Sequence, residues 1–157
     1  MAIDDDGRCK PIVRLALEGE RDALESLQWR ASLNNPGDRD ALLANPDAIH
    51  LAVDQIRSDL VFVAEVDGVL AGFAAVLPRP DGDVELDGLF VDPGMQRRGI
   101  GQALVDRCAA FARDHRAAAL HVIGNPHAEA FYRAAGFELT GHYETRFGPG
   151  LLLQRKA

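Results

Sequence analysis

The chain has 157 residues, 47% of them hydrophobic and 26% charged, which predicts one globular domain spanning 1–157 and excludes a disordered chain. Its formal net charge of −7 argues against nucleic-acid binding. No apolar run approaches the roughly 20 residues of a membrane span. The acidic start has no apolar core, so we expect no signal peptide, a mobile leader over residues 1–9 and a cytoplasmic location.

The first third of the chain predicts one strand and three helices. Apolar residues at 11–16 favour a strand, and the spacing over 17–32 favours a helix. Asn and Pro-Gly at 34–37 end that helix. The helical pattern over 38–58 is interrupted by a proline, which predicts two short helices.

The middle of the chain predicts a β-hairpin and then a third strand. Two apolar runs at 60–66 and 69–77 flank Asp67-Gly68, which is a strong hairpin signal. Residues 84–91 are rich in β-branched and aromatic side chains and predict the next strand.

The last third predicts two helices alternating with strands. Helical spacing over 99–115 places Cys108 on the apolar face, so we expect this thiol to be a core residue. A strand at 119–123 and a helix at 127–135 follow. Two final strands, at 137–145 and 151–156, are expected to be joined by residues 147–150.

A glycine-rich segment stands between the strand at 84–91 and the helix at 99–115. A helix that opens on glycines exposes unpaired backbone N–H groups at the positive end of its dipole, which favours phosphate. Two arginines in the segment add positive charge. Neither the dinucleotide fingerprint nor the Walker pattern fits, because Leu104 replaces the third glycine and no Gly-Lys-Ser/Thr follows. The segment comprises Gln96, Arg97, Arg98, Gly99, Ile100 and Gly101.

Two motifs together resemble those of the GNAT superfamily of N-acetyltransferases. The glycine segment resembles the Q/R-x-x-G-x-G/A loop that grips the pyrophosphate of acetyl-CoA. Residues 125–137, which follow the strand at 119–123, resemble the second signature, N-x-x-A-x-x-F/L-Y-x-x-x-G-F. The resemblance implies an α+β fold with a mixed, largely antiparallel central sheet of about seven strands and helices on both faces. It also implies acetyl-CoA as co-substrate and an acyltransferase activity.

The resemblance assigns most of the cofactor contacts to backbone groups and to the second signature. In the family, the strand before the glycine loop splays from its neighbour and leaves main-chain groups free for the acetyl and pantetheine parts, here at Leu89, Phe90 and Val91. Asn125 matches a cofactor contact. Tyr132 matches a tyrosine near the cofactor sulfur, and a phenol that stays protonated at neutral pH can protonate the leaving thiolate.

Glu85 is the candidate general base, because it matches a catalytic glutamate of histone-modifying members. It would act directly or through water. Asp87 would project from the same face in a regular strand, although Gly88 could mark a bulge that re-aims one of the two carboxylates. Both carboxylates could equally be solvated groups on a strand face.

The acceptor is expected to be a small primary amine, and further side chains are candidates for its pocket. The candidates are Trp29, Arg30, Asp87, His142, Glu144 and Arg146. For Trp29, a buried anchor is an alternative role. The five histidines lack metal-ligand spacing, so no metal is expected. Acetylation of a protein lysine or N-terminus, and a non-catalytic acyl-CoA sensor, stay as alternatives, and family resemblance also suggests a homodimer.

Overall fold

The computed structural model describes residues 10–35, 38–146 and 148–157. Within these ranges, the chain forms seven strands and five helices, with short 3-10 turns between several of them. The strands are β1 (Ile12–Leu15), β2 (Val61–Val66), β3 (Val69–Pro78), β4 (Val84–Val91), β5 (Ala119–Gly124), β6 (Glu138–Thr145) and β7 (Gly148–Lys156). The helices are α1 (Arg21–Asn34), α2 (Arg39–Ala44), α3 (Val53–Arg57), α4 (Ile100–Asp114) and α5 (Glu129–Ala134).

All seven strands belong to one mixed sheet in the order β1-β2-β3-β4-β5-β7-β6. The pairs are antiparallel except for β4 with β5, which run parallel. The parallel pair needs a crossover, and α4 lies in the segment that joins the two strands. The predicted hairpin at Asp67-Gly68 is confirmed as β2–β3, and the expected α+β architecture is confirmed as well.

Helices cover both faces of the sheet and define two cores. On one face, α4 buries Ile100, Leu104 and Cys108 at the predicted spacing. Cys108 is a core residue as expected, and burial raises the pKa of its thiol to about 12. On the other face, α1 buries Leu24 and Leu27 against β2 and β3.

A β-bulge at Asp87 changes which side chains of β4 face each core. Ala75 of β3 pairs with Gly88, and the next residue of β3 pairs with Leu86, so Asp87 is the extra residue. Val84 and Leu86 therefore pack on the α4 side before the bulge, and Leu89 and Val91 pack there after it.

The structure differs from the predicted boundaries mainly at the chain ends. The connection expected at 147–150 is shorter, because residues 148–150 already pair with β6 as part of β7. The first helix begins at Arg21, after a 3-10 turn at Glu18–Glu20. The leader expected at 1–9 lies outside the described residues. In the part of the chain that the structure describes, no helix combines the length and apolar character that crossing a membrane requires.

Candidate functional site

The glycine segment forms a left-handed backbone loop in front of α4. Arg97 has a φ of 64° and Gly99 a φ of 73°, and Gly99 directly precedes the first residue of α4. No heavy atom lies within 4 Å of a Cβ built on Gly99, so the space beside its backbone is open. Open space and helix N-terminal N–H groups at one point suit a phosphate, so the loop fits the group that the sequence predicts for it.

A cavity of about 400 Å³, here called the loop cavity, opens beside this segment. Arg98 is exposed and does not line it. The absence of a side chain at Gly101 lets the start of α4 pack closely against the Phe131 ring, because a Cβ at this position would lie 2.9 Å from that ring. The two sequence motifs are therefore in contact. The lining comprises Val91, Met95, Gln96, Arg97, Gly99, Ile100, Gly101, Gln102, Phe131 and Ala134.

Strands β4 and β5 separate after three residue pairs. The parallel pairing runs from Val84–Leu120 to Leu86–Val122 and stops there, although both strands continue. Backbone groups that face this gap are available to a ligand instead of to a neighbouring strand. The splay that the family resemblance implies is thus present in the structure.

The gap opens into a second cavity of about 400 Å³, here called the splay cavity. Four of the predicted cofactor residues line it, namely Leu89, Phe90, Asn125 and Tyr132. Its remaining walls come from the end of α1, from α2 and the segment that follows it, from the bulge in β4, from the end of β5 and from the turn before α5. These residues are Gln28, Ser32, Asn35, Asp38, Ala41, Leu42, Ala48, Ile49, Asp87, Gly88, Ile123, Gly124 and Ala128.

Tyr132 projects from α5 into the space behind the gap. Its ring makes edge contacts with Phe131 and Phe137, at centroid distances of 5.2 and 5.4 Å, and only 8% of the residue is exposed. Burial, with a smaller contribution from the charge of Asp38, raises the pKa of Tyr132 to about 12. The phenol is therefore protonated at neutral pH and can donate a proton.

The two carboxylates of β4 occupy different environments. Asp87, the bulged residue, lines the splay cavity. Glu85 lies in the regular part of the strand, where it is opposite Leu77 on one side and His121 on the other. It is half-buried and lines neither the loop cavity nor the splay cavity.

A third cavity, here called the hairpin cavity, has a volume of about 610 Å³ and lies between the end of β5 and the β6–β7 hairpin. Glu144 and Arg146, two predicted acceptor contacts, line it, whereas the exposed His142 does not. The lining comprises Asp38, Ile123, Gly124, Asn125, Pro126, His127, Tyr143, Glu144, Thr145, Arg146, Pro149 and Gly150.

The two candidates on α1 lie outside the lining of these three cavities. Trp29 is half-buried. The Arg30 guanidinium is 2.8 Å from the carboxylate of Asp92 and holds the pKa of that carboxyl below its usual range. Arg30 thus ties α1 to the turn before the glycine segment. The α1 residues that line the splay cavity are instead Gln28 and Ser32, and Asn35 lines it directly after the helix ends.

Asp38 is the site residue that sequence reasoning missed. It lines both the splay and the hairpin cavity, and its carboxylate accepts a hydrogen bond of 2.8 Å from the side chain of Asn125. The two residues are 87 positions apart. Neither a motif nor helical spacing connects them, so no local signal could have found the contact.

The cavities differ in charge. The loop cavity carries Arg97, and the splay cavity carries Asp38 and Asp87 with no basic side chain in its lining. The hairpin cavity carries both Glu144 and Arg146. A ligand with an anionic end and a partner with a cationic amine would each find complementary charge here.

One cluster outside these cavities brings potential metal ligands together. Asp81, Asp83 and His121 place one ligand atom each within 4.8 Å of the others. Asp83 already accepts hydrogen bonds from two backbone N–H groups and lies 2.8 Å from the His121 ring nitrogen, and Asp81 pairs with Arg79. These protein contacts explain why the three side chains lie together. That the protein binds no metal stays a prediction.

Comparison with known families decides the membership of the chain. The model described as "Acetyltransferase (GNAT) family" matches residues 22–137, which is most of the sequence. The chain belongs to the GNAT family of acetyltransferases. An uncharacterized N-acetyltransferase of Mycobacterium bovis is 34% identical to this GNAT chain over 93 residues, which cover 56% of the chain and 58% of the relative. The match thus spans less than two thirds of the relative's length.

Solved structures place the GNAT chain in the same fold. The GCN5-related N-acetyltransferase from Rhodopseudomonas palustris matches it with a TM-score of 0.75 and 18% identity, over 96% of this chain and 98% of that one. The structure of yncA from Salmonella typhimurium with its cofactor acetyl-CoA matches with a TM-score of 0.68 and 22% identity, over 94% of each chain. At these identities the likeness shows the fold.

Proposed function

We propose that this GNAT chain is an N-acetyltransferase that moves an acetyl group from acetyl-CoA to a primary amine of a small molecule. The observation that carries the proposal is the gap between β4 and β5, which is lined by residues of the second signature and lies between an arginine-bearing glycine loop and a group of carboxylates. An anionic donor would approach the gap from the side of the glycine loop, and a cationic acceptor would approach it from the side of the carboxylates. The yncA structure, which contains acetyl-CoA, supports the choice of donor.

The glycine segment would hold the pyrophosphate. Backbone N–H groups around Gly99 and at the start of α4 would donate hydrogen bonds to phosphate oxygens, and Arg97 and Arg98 would add positive charge. The backbone of Leu89 and Phe90 would hydrogen-bond the acetyl and pantetheine parts in the gap, with Val91 continuing toward the loop cavity. Asn125 would contact the same arm from β5.

The chemistry needs a base and an acid on either side of the gap. Acetyl-CoA supplies the thioester carbonyl that the amine attacks directly, so that a C–N bond forms while the C–S bond breaks. Glu85 accepts the proton that the amine loses. Because Glu85 lies in the paired part of β4, outside the splay cavity, its position favours transfer through water. Tyr132 donates its hydroxyl proton to the sulfur, and solvent returns a proton to the phenolate.

The lining of the acceptor side supports a cationic small molecule. Asp38 and Asp87 place two carboxylates in the splay cavity, whose lining has no basic side chain. The hairpin cavity, with Glu144 and Arg146, adds room for polar substituents of the amine. The free thiol of Cys108 fits a reducing compartment, and we propose the cytoplasm.

The proposal is tested by acetyl-CoA-dependent thiol release across a panel of amines at mildly alkaline pH. The panel includes polyamines, amino acids, aminoglycosides, and peptides with a free N-terminus or lysine, with amine-free controls. We expect saturable release with one class of small amine. Release only with peptides would favour a protein acetyltransferase, and tight acetyl-CoA binding without release would favour a sensor.

A further inference from the structure

Three hydrogen bonds form a continuous chain across the acceptor side of the site. The backbone N–H of His127 donates to Asn125 Oδ1 at 2.9 Å. Asn125 Nδ2 donates to Asp38 Oδ1 at 2.8 Å, and Asn35 Nδ2 donates to Asp38 Oδ2 at 3.2 Å. The chain connects the end of α1, the start of α2 and the turn that follows β5.

The chemistry of this chain fixes the orientation of each amide. A backbone N–H can only donate, so the oxygen of Asn125 must face His127 and its nitrogen must face Asp38. Asp38 then accepts a hydrogen bond on each of its two oxygens, which an ionised carboxylate can do. An asparagine at this position has only one acceptor oxygen, so it could accept from Asn125 or from Asn35 but not from both.

Asp38 also stands where the two acceptor-side cavities meet. It lines the splay and the hairpin cavity, and Ala41 and Leu42 of α2 line the splay cavity beside it. Its charge contributes to the raised pKa of Tyr132, so the carboxylate lies within electrostatic reach of that phenol. A displacement of Asp38 would therefore change the wall that an acceptor meets next to the gap.

We infer that Asp38 is a positioning residue, which through its hydrogen bond to Asn125 fastens α2 against β5 and thereby sets the wall of the acceptor pocket. The inference rests on the proposed function, because it assigns the role to acceptor binding. It requires the hydrogen-bond pattern at positions 38 and 125 and does not require that the negative charge sit at position 38.

An exchange of the two side chains tests this requirement. The combined variant Asp38→Asn with Asn125→Asp keeps all three hydrogen bonds, because the carboxylate at 125 accepts from His127 and from the amide at 38, whose oxygen accepts from Asn35. Asn125→Asp alone sets two carboxylates against each other. Asp38→Asn alone removes one of two acceptor oxygens, and the pattern is restored only if the Asn35 amide turns its oxygen toward position 38. Asn125→Asp is therefore the decisive single variant. Asp40→Asn, on an exposed side chain of α2, is the matched control.

We expect Asn125→Asp to raise the KM for the acceptor about tenfold, on the scale of one lost hydrogen bond to a charged group. This KM is measured at saturating acetyl-CoA, because Asn125 is also a proposed donor contact. In the Asn125→Asp background, adding Asp38→Asn should lower that KM again. Hydrogen exchange of the α2 amides in the ligand-free proteins should follow the same order, with fast exchange in Asn125→Asp and slow exchange in the exchanged pair. The Asp40→Asn protein should behave as wild type in both measurements.

The outcomes separate this inference from the proposed function. A wild-type protein that acetylates no amine overturns the proposed function and the acceptor role together. Turnover by wild type combined with an Asp38→Asn effect of the same sign in both backgrounds overturns only the inference, and shows that the charge at position 38 is what matters. Reversal in hydrogen exchange without reversal in KM would also overturn the acceptor role.

Discussion

The β4–β5 pair is held together at one end and open at the other. Where the strands begin, Asp83 accepts hydrogen bonds from the backbone N–H groups of Ala118 and Ala119, at 2.9 and 3.3 Å. Its other oxygen lies 2.8 Å from the ring nitrogen of His121. One carboxylate thus fastens the start of β4 to the start of β5.

At the far end, the pairing stops after Leu86 and Val122. The bulge at Asp87 bends β4, and the gap is bordered by side chains that approach from α1, α2 and α5 instead of by a strand. The comparison assigns different tasks to the two ends: the closed end holds the strands together, and the open end borders the splay cavity. We therefore expect variants at the open end to change chemistry and variants at the closed end to change stability.

The largest effect should come from Tyr132→Phe at the open end. The change removes only the hydroxyl, and the ring contacts with Phe131 and Phe137 are kept. We expect kcat to fall on the order of 10²- to 10⁴-fold, the usual contribution of a general acid. Acetyl-CoA affinity and the melting temperature should stay close to wild type. An unchanged kcat would contradict the assignment of Tyr132 as the acid.

The second test distinguishes the two carboxylates of β4. Glu85→Gln should lower kcat by about 10²-fold, whereas Asp87→Asn should mainly raise the KM for the acceptor. The loss in Glu85→Gln should shrink with amines of low pKa, because these need less help to lose a proton. Equal losses across amines of different pKa would speak against Glu85 as the base. The reverse pattern of kcat and KM would assign the base to Asp87.

Gly99→Ala should have an intermediate effect, confined to the donor. A left-handed conformation costs an alanine about 1–2 kcal/mol. If the loop changes its conformation to avoid this cost, acetyl-CoA affinity should fall by roughly 5- to 30-fold. Isothermal titration measures the change. Gly19→Ala is the control, because Gly19 lies outside the left-handed region and is likewise in open space. Equal affinities for the two variants would exclude the loop as the phosphate site.

The smallest effect should come from Asp83→Asn at the closed end, as a drop of a few degrees in melting temperature. Hydrogen bonding to His121, together with the two backbone donors, holds the pKa of Asp83 below its ordinary value. Its contribution is therefore complete above the unfolded pKa of about 3.9 and is lost as the pH falls through the folded value.

The stability difference between wild type and Asp83→Asn should accordingly shrink as the pH falls below about 4. Asp81→Asn is the matched control, because Asp81 pairs with Arg79 in the same turn and does not bond to β5. If Asp83→Asn also changed the acceptor KM by more than a few-fold, the two ends of the strand pair would not be separable in the way described.

Local patterns were sufficient to predict most elements of the fold. Two apolar runs and the Asp67-Gly68 turn between them predicted β2 and β3, and apolar spacing predicted α4 within one residue at each end. The prediction was wrong at residues 148–150, which form the start of β7 because β6 offers them pairing partners. A Gly-Pro-Gly run carries no such information on its own, since strand formation there depends on a neighbour distant in sequence.

The site, like the fold, has one part that local sequence patterns predict and another part that they do not. Its motif residues could be found because each motif is local: the glycine segment opens a helix, and the second signature joins a strand end to α5. The placements of Asp87 inside the splay cavity, of Glu85 outside it and of Asp38 opposite Asn125 could not be found locally. They depend on the bulge and on how the helices cross the sheet.

The sequence by itself determined the family, the order of the strands and helices along the chain, and the two segments that would meet a donor. Those properties follow from backbone conformation and side-chain spacing within a few residues. The tertiary structure alone decided that β4 and β5 open after three pairs, and that the carboxylates of Asp38 and Asp87 share one cavity with Tyr132. Such contacts join parts of the chain far apart in sequence, so they exist only once the sheet and its helices have packed.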